Sequence, residues 1–143
     1  MSIRDVCARH FDAHKGDCSG FAKAVAQELG VPLVGDANAI ADLLAAPRDG
    51  WVRLGGGAAA AAAAANQLVI AGLRGNLQEH PSAHGHVVVV IPGPLARGAY
   101  PMAWWGSLGG NPGQDKTINW AWTAADRDKV VYAAHPLSPQ PAG

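Results

Sequence analysis

Cys18-Ser-Gly-Phe-Ala-Lys-Ala-Val-Ala-Gln-Glu-Leu-Gly30 and the later string His86-Val-Val-Val-Val-Ile91 decide the fold between them. In the first, Cys18, Ala22, Val25, Ala26 and Leu29 fall on one face at helical spacing, while Lys23, Gln27 and Glu28 lie off it. Gly30 suits a left-handed cap, and Pro32 forbids continuation. The second string is β-branched from Val87 to Ile91 and stops at Pro92-Gly93-Pro94, so it reads as a strand. Working outward, residues 1–16 predict a short, frayed amphipathic helix carrying Ile3, Val6, Cys7 and Phe11. Another helix starts at the N-cap Asp36 and runs through Ile40, Leu43 and Leu44 to Pro47.

Gly55-Gly-Gly57 followed by eight alanines reads as a flexible joint leading into a strong helix former. Leu68–Leu73, Tyr100–Trp105 and Lys129–His135 are further strand candidates, and Gly106 to Gln114 is almost entirely turn chemistry. Helices come first and strands follow in series. That order predicts an α+β fold, with N-terminal helices packed on a mostly antiparallel sheet, as a single domain over residues 1–143.

Composition narrows the function classes. Eleven basic and eleven acidic residues cancel across 143 residues, so no long-range field gathers nucleic acid, and no nucleic-acid partner is expected. The longest apolar run, Ala58–Ala65, falls short of the roughly 18 residues of a membrane span, so no membrane insertion is expected. The first residues lack the apolar segment of a general export signal. Cys7 and Cys18 permit one disulfide at most, and that bond would consume every thiol available for nucleophilic chemistry.

Cys18 stands at the start of the best helix. Unpaired amide hydrogens and the positive end of the helix dipole there favour a thiolate, and the same amides, near Cys18 and Ser19, can face an oxyanion. Gly20 leaves room for a substrate backbone. A small buried hydrophobe capping an apolar face is the competing account of the same cysteine. His86 begins the valine strand and shares a face with Val88 and Val90, at the sheet's rim, where a helix start can reach it. A cysteine and a histidine so placed fit a nucleophile and its base, and a rim histidine facing water is the competing account from spacing alone. His84 reads as a loop residue.

Cys18, His84 and His86 also supply three zinc ligands, but no fourth stands out, so metal ranks below thiolate chemistry and no cofactor is expected. His10, His14, His80 and His135 have no spacing that gives them a role and read as surface residues. Asp126-Arg-Asp128 with Lys129 reads as a solvated turn. Of the five tryptophans, most fill cores, and a few line a groove beside the glycine loop, where aromatic walls suit a peptide or glycan.

The strings Asp17-Cys-Ser-Gly-Phe21, Ala26-Gln-Glu-Leu-Gly-Val-Pro32, Leu68-Val-Ile-Ala-Gly-Leu73, Gly85-His-Val-Val-Val-Val-Ile91 and Tyr100-Pro-Met-Ala-Trp-Trp-Gly-Ser107 together resemble the first family of type VI secretion amidase effectors. The opening string also resembles the wider NlpC/P60 class of papain-like cell-wall peptidases. The resemblance implies a cysteine amidase of papain-like fold, injected by a type VI secretion apparatus into a rival's periplasm. There it would cut the bond between γ-D-glutamate and meso-diaminopimelate in peptidoglycan stem peptides, and a cognate immunity protein would block it in the producer. It makes Cys18 the nucleophile and His86 the base; Ser19, Gly20, Trp105 and Ser107 are expected at the oxyanion and substrate positions. Where NlpC/P60 enzymes carry a polar residue to orient the histidine, this chain has Ala103, Trp104 and Trp105, which leaves a backbone carbonyl, a water, Asn111 or Gln114 for that task. Some relatives staple the N-terminal helix by a disulfide; Cys7 has no spare partner for one. Two rival readings are a non-catalytic module that holds cell-wall peptide, and a papain-like hydrolase or deamidase with another amide substrate.

Overall fold

The computed structural model describes residues 2–137. It is an α+β fold with four helices and one six-stranded sheet, every strand pair antiparallel, in the order β1 (Val52–Leu54), β6 (Val131–Pro136), β2 (Gln67–Leu73), β3 (His86–Val90), β4 (Met102–Trp105), β5 (Gly113–Thr117). Helix α1 (Ile3–His14) is more regular than its sequence suggests. Ser2 caps it by accepting from the Asp5 amide at 3.1 Å, and Ile3, Val6, Cys7 and Phe11 turn inward as the spacing predicts. Phe11 meets Phe21 and Trp104 edge to face, with ring centres 6.2 and 5.5 Å away. Arg4 pairs with Asp115, which also accepts from the Trp104 indole at 2.9 Å, so α1 is tied to the far edge of the sheet.

Helix α2 (Cys18–Glu28) buries Phe21, Ala22, Val25 and Ala26, and Gly30 takes the left-handed conformation that ends it, with φ of 75°. Helix α3 (Ala37–Ala45) begins at Asp36, whose carboxylate accepts from the Ala39 amide at 2.9 Å. These three helices cover one face of the sheet.

At the centre of the sheet lie β2 (Gln67–Leu73), β3 (His86–Val90) and β6 (Val131–Pro136). Val87 to Val90 have no exposed surface, because both faces of β3 are covered, and each such side chain contributes roughly 1.5–3 kcal/mol by leaving water. β4 (Met102–Trp105) follows the predicted strand. Two edge strands are not legible in the sequence: β1 (Val52–Leu54), which is short, and β5 (Gly113–Thr117), which is polar.

β5 begins at the last two residues of the glycine-rich turn, and its register on β4 shifts between Ala103 and Trp105. The second face is covered by α4 (Gly56–Ala64), the alanine helix, through Ala59 and Ala63. Gly56 is part of that helix and no free hinge: a Cβ there would stand 2.8 Å from the Ala99 carbonyl oxygen and 3.1 Å from the Tyr132 ring. Small side chains let the helix approach the sheet closely, which explains the tract better than a joint does. Cys7 and Cys18 are both free thiols.

Candidate active site

The end of β4 holds the α1–α2 turn in place. Gly106 lies flat against the carbonyls of His14 and Asp17, leaving no space for a Cβ, and the Ser107 amide donates to the Lys15 carbonyl at 2.9 Å. The start of α2, and with it Cys18, is thereby fixed against the sheet. Asp17 is the N-cap in position, yet its carboxylate makes no capping bond; it accepts instead from the Ser19 hydroxyl at 3.1 Å. A Cβ on Gly20 would lie 2.6 Å from that carboxylate, so the room this glycine provides is occupied by Asp17. Gly20 does not line the cleft described below, whereas Ser19 does.

Cys18 is half-buried, and its Sγ donates to the Gly85 carbonyl at 3.9 Å. Burial pushes its thiol above the ordinary value, and the Asp17 charge adds to that; the amides of Val87, Ser19 and Cys18 itself pull the other way and do not prevail. Burial at the helix start thus opposes the thiolate that the amides and the dipole favour. Desolvation outweighs the dipole because the sulfur is packed against the helix-side core.

That packing puts the thiol beside the backbone on both sides of His86, the Gly85 carbonyl and the Val87 amide. His86 is the first residue of β3 and pairs with Leu73 of β2. Its approach is fixed from α3: Asn38 accepts from the Gly75 amide at 3.0 Å and donates to the Ala83 carbonyl at 2.9 Å. The imidazole lies on the Val88 and Val90 side, as alternation predicts. Its ring centre is 6.3 Å from that of Trp105 and 5.2 Å from that of Trp122, both edge to face. Burial pulls its pKa down to about 4, so at neutral pH the ring is uncharged and able to accept a proton. Among the described residues no hydrogen bond joins Cys18 to His86, and neither Asn111 nor Gln114 reaches the imidazole.

Cys18 and His86 open into one cleft of about 530 Å³. Trp105 and Ser107 line it, and so do His84, in its loop, and His80, which had no predicted role. Asn38, Asp126, Trp120 and Trp122 also line it and carried no distinguishing signal in the sequence. Asp126 is 5% exposed, not a solvated turn residue: it accepts from the Glu79 amide at 2.7 Å and from Lys129 at 3.2 Å, holding one wall of the cleft. Trp120 is 73% exposed at the cleft, with the Lys116 ammonium 5.6 Å from its ring centre. Among the described residues no group of three or more His, Cys, Asp or Glu side chains is placed to hold a metal ion, so His84 is not gathered with Cys18 and His86 as a ligand set. No described helix is long and apolar enough to cross a membrane.

The chain is similar to the peptidoglycan amidase Tse1 of Pseudomonas aeruginosa, with 45% identity over 130 residues that cover 87% of this chain and 79% of that protein. No family model matches it.

Proposed function

Since this chain belongs to the family of the peptidoglycan amidase Tse1, we propose that it is a peptidoglycan amidase working through Cys18 and His86, its residues forming one catalytic domain of papain-like, NlpC/P60 type. One observation carries the mechanism: the Cys18 sulfur lies against the Gly85 carbonyl and the Val87 amide, the backbone on either side of His86, and both side chains line one cleft.

Both groups rest uncharged, because burial raises the thiol and lowers the imidazole. His86 therefore acts as a general base during attack: it takes the Cys18 proton as the sulfur adds to the stem-peptide carbonyl. The amides of Cys18 and Ser19, which already face the sulfur, hold the oxyanion. The imidazolium then gives its proton to the departing amine and leaves a thioester. Water, deprotonated by the same ring, releases the acid and restores the thiol.

The substrate is the stem peptide, and the bond is that between γ-D-glutamate and meso-diaminopimelate. The proposal extends to delivery by a type VI secretion apparatus, action as a toxin in the periplasm of a rival bacterium, and a cognate immunity protein that covers the cleft. Purified sacculi digested with the enzyme and analysed by mass test both bond and mechanism. Fragments ending at glutamate are expected from the native chain, and a folded Cys18→Ala or His86→Ala variant should lose at least about 1,000-fold in turnover. Sustained cleavage by Cys18→Ala, or masses that place the cut elsewhere, would refute the respective claim.

A further inference from the structure

The imidazole assigned above as base makes no hydrogen bond with any described side chain or carbonyl, and burial lowers its pKa. Two indoles meet it instead, and both are held firmly. The Trp105 indole donates to the Asn111 carbonyl at 3.0 Å and rests where Gly113 offers no Cβ. Trp122 is 5% exposed, its amide donates to the Ile118 carbonyl at 3.0 Å, and its indole nitrogen is buried without a partner. Its ring is thus kept in place by packing, and the closer of the two imidazole contacts, 5.2 Å at 66°, is its own.

We propose that Trp122 is a positioning residue: together with Trp105 it clamps the His86 ring edge to face and fixes its rotation, the task that a hydrogen-bond acceptor performs in a catalytic triad. An imidazole on a β-strand has a broad, nearly two-fold second torsion, and contact with two fixed indoles removes that freedom. This rests on the assignment of Cys18 and His86 made above.

The test uses the full chain and a soluble disaccharide-tetrapeptide, with kcat and KM measured separately and folding checked by thermal melting. Trp122→Leu is expected to lower kcat about 10–100-fold while KM stays within about twofold, since orientation and not binding is lost. Trp122→Phe keeps an aromatic ring against the imidazole and removes only an unpartnered N–H, so it should recover kcat to within about threefold of the native value. If leucine prevents folding, Trp122→Met, which refills more of the volume, makes the same comparison. Native kcat in a folded leucine or methionine variant, a parallel change in kcat and KM, or no recovery with phenylalanine would overturn the clamp. His86→Ala separates the two levels: if it is inactive while Trp122→Leu is unaffected, only the clamp fails. If His86→Ala turns over like the native chain, the base assignment fails and the clamp with it.

Discussion

At the scale of the residue, Cys18 shows how a local rule is outvoted. Its position at a helix start was plain in the sequence, and so was the inference that the amides there favour a thiolate. What the string could not show was the depth of the sulfur in the helix-side core or the uncapped carboxylate of Asp17 next to it, which together raise the thiol. A neutral resting thiol has a measurable signature. Iodoacetamide should modify Cys18 slowly at pH 7, with a rate that climbs about tenfold per pH unit until above pH 9, because only the anion reacts. A fast, flat rate between pH 5 and 8 would instead mean a preformed thiolate–imidazolium pair. Asn38 makes the complementary point: it fixes the loop that leads into His86 from another helix, and no local spacing could announce that.

Among the elements, α4 is where composition misled most. Three glycines and eight alanines suggest looseness, yet the helix lies close on the sheet and its first glycine is sterically required. Neighbouring glycines should therefore respond in opposite senses to the same change. Gly56→Ala drives a methyl into the Ala99 carbonyl and the Tyr132 ring and should cost about 1–3 kcal/mol. Gly57→Ala meets only the Gly98 carbonyl at 3.9 Å and should stabilise by roughly 0.5–1 kcal/mol through helix propensity. Urea unfolding of the two variants reads both values, and equal shifts would contradict the close-packing account. The same lesson holds for β5, which sequence could not reveal because its exposed edge alternates charge and polarity where a buried strand would alternate valine.

For the whole molecule, the buried imidazole links the site to stability. His86 ordinarily binds a proton near pH 6.5, but in the folded chain only near pH 4. Between these values the unfolded state holds the extra proton, so stability falls as pH drops from 6.5 to 4, by no more than about 3 kcal/mol. Below that range Glu28 and Asp115 add to the loss, since their arginine partners lower their folded pKa and protonation forfeits that advantage. Denaturant midpoints followed from pH 7 to pH 4 should decline in the native chain and stay flatter in His86→Gln over the first window. An identical slope in both would place the acid sensitivity elsewhere.

Period and punctuation determined a great deal unaided: the faces of α1, α2 and α3, the valine strand, the antiparallel arrangement, and Cys18 and His86 as the residues to watch. These are short-range matters, settled by where apolar side chains recur and where glycine and proline break the backbone. The depth of Cys18, the indoles around His86, the buried carboxylate of Asp126 and the fit of Gly56 were decided only when distant segments packed together. Desolvation and steric contact depend on which atoms surround a group in space, and for these four the surrounding atoms come largely from parts of the chain remote in sequence.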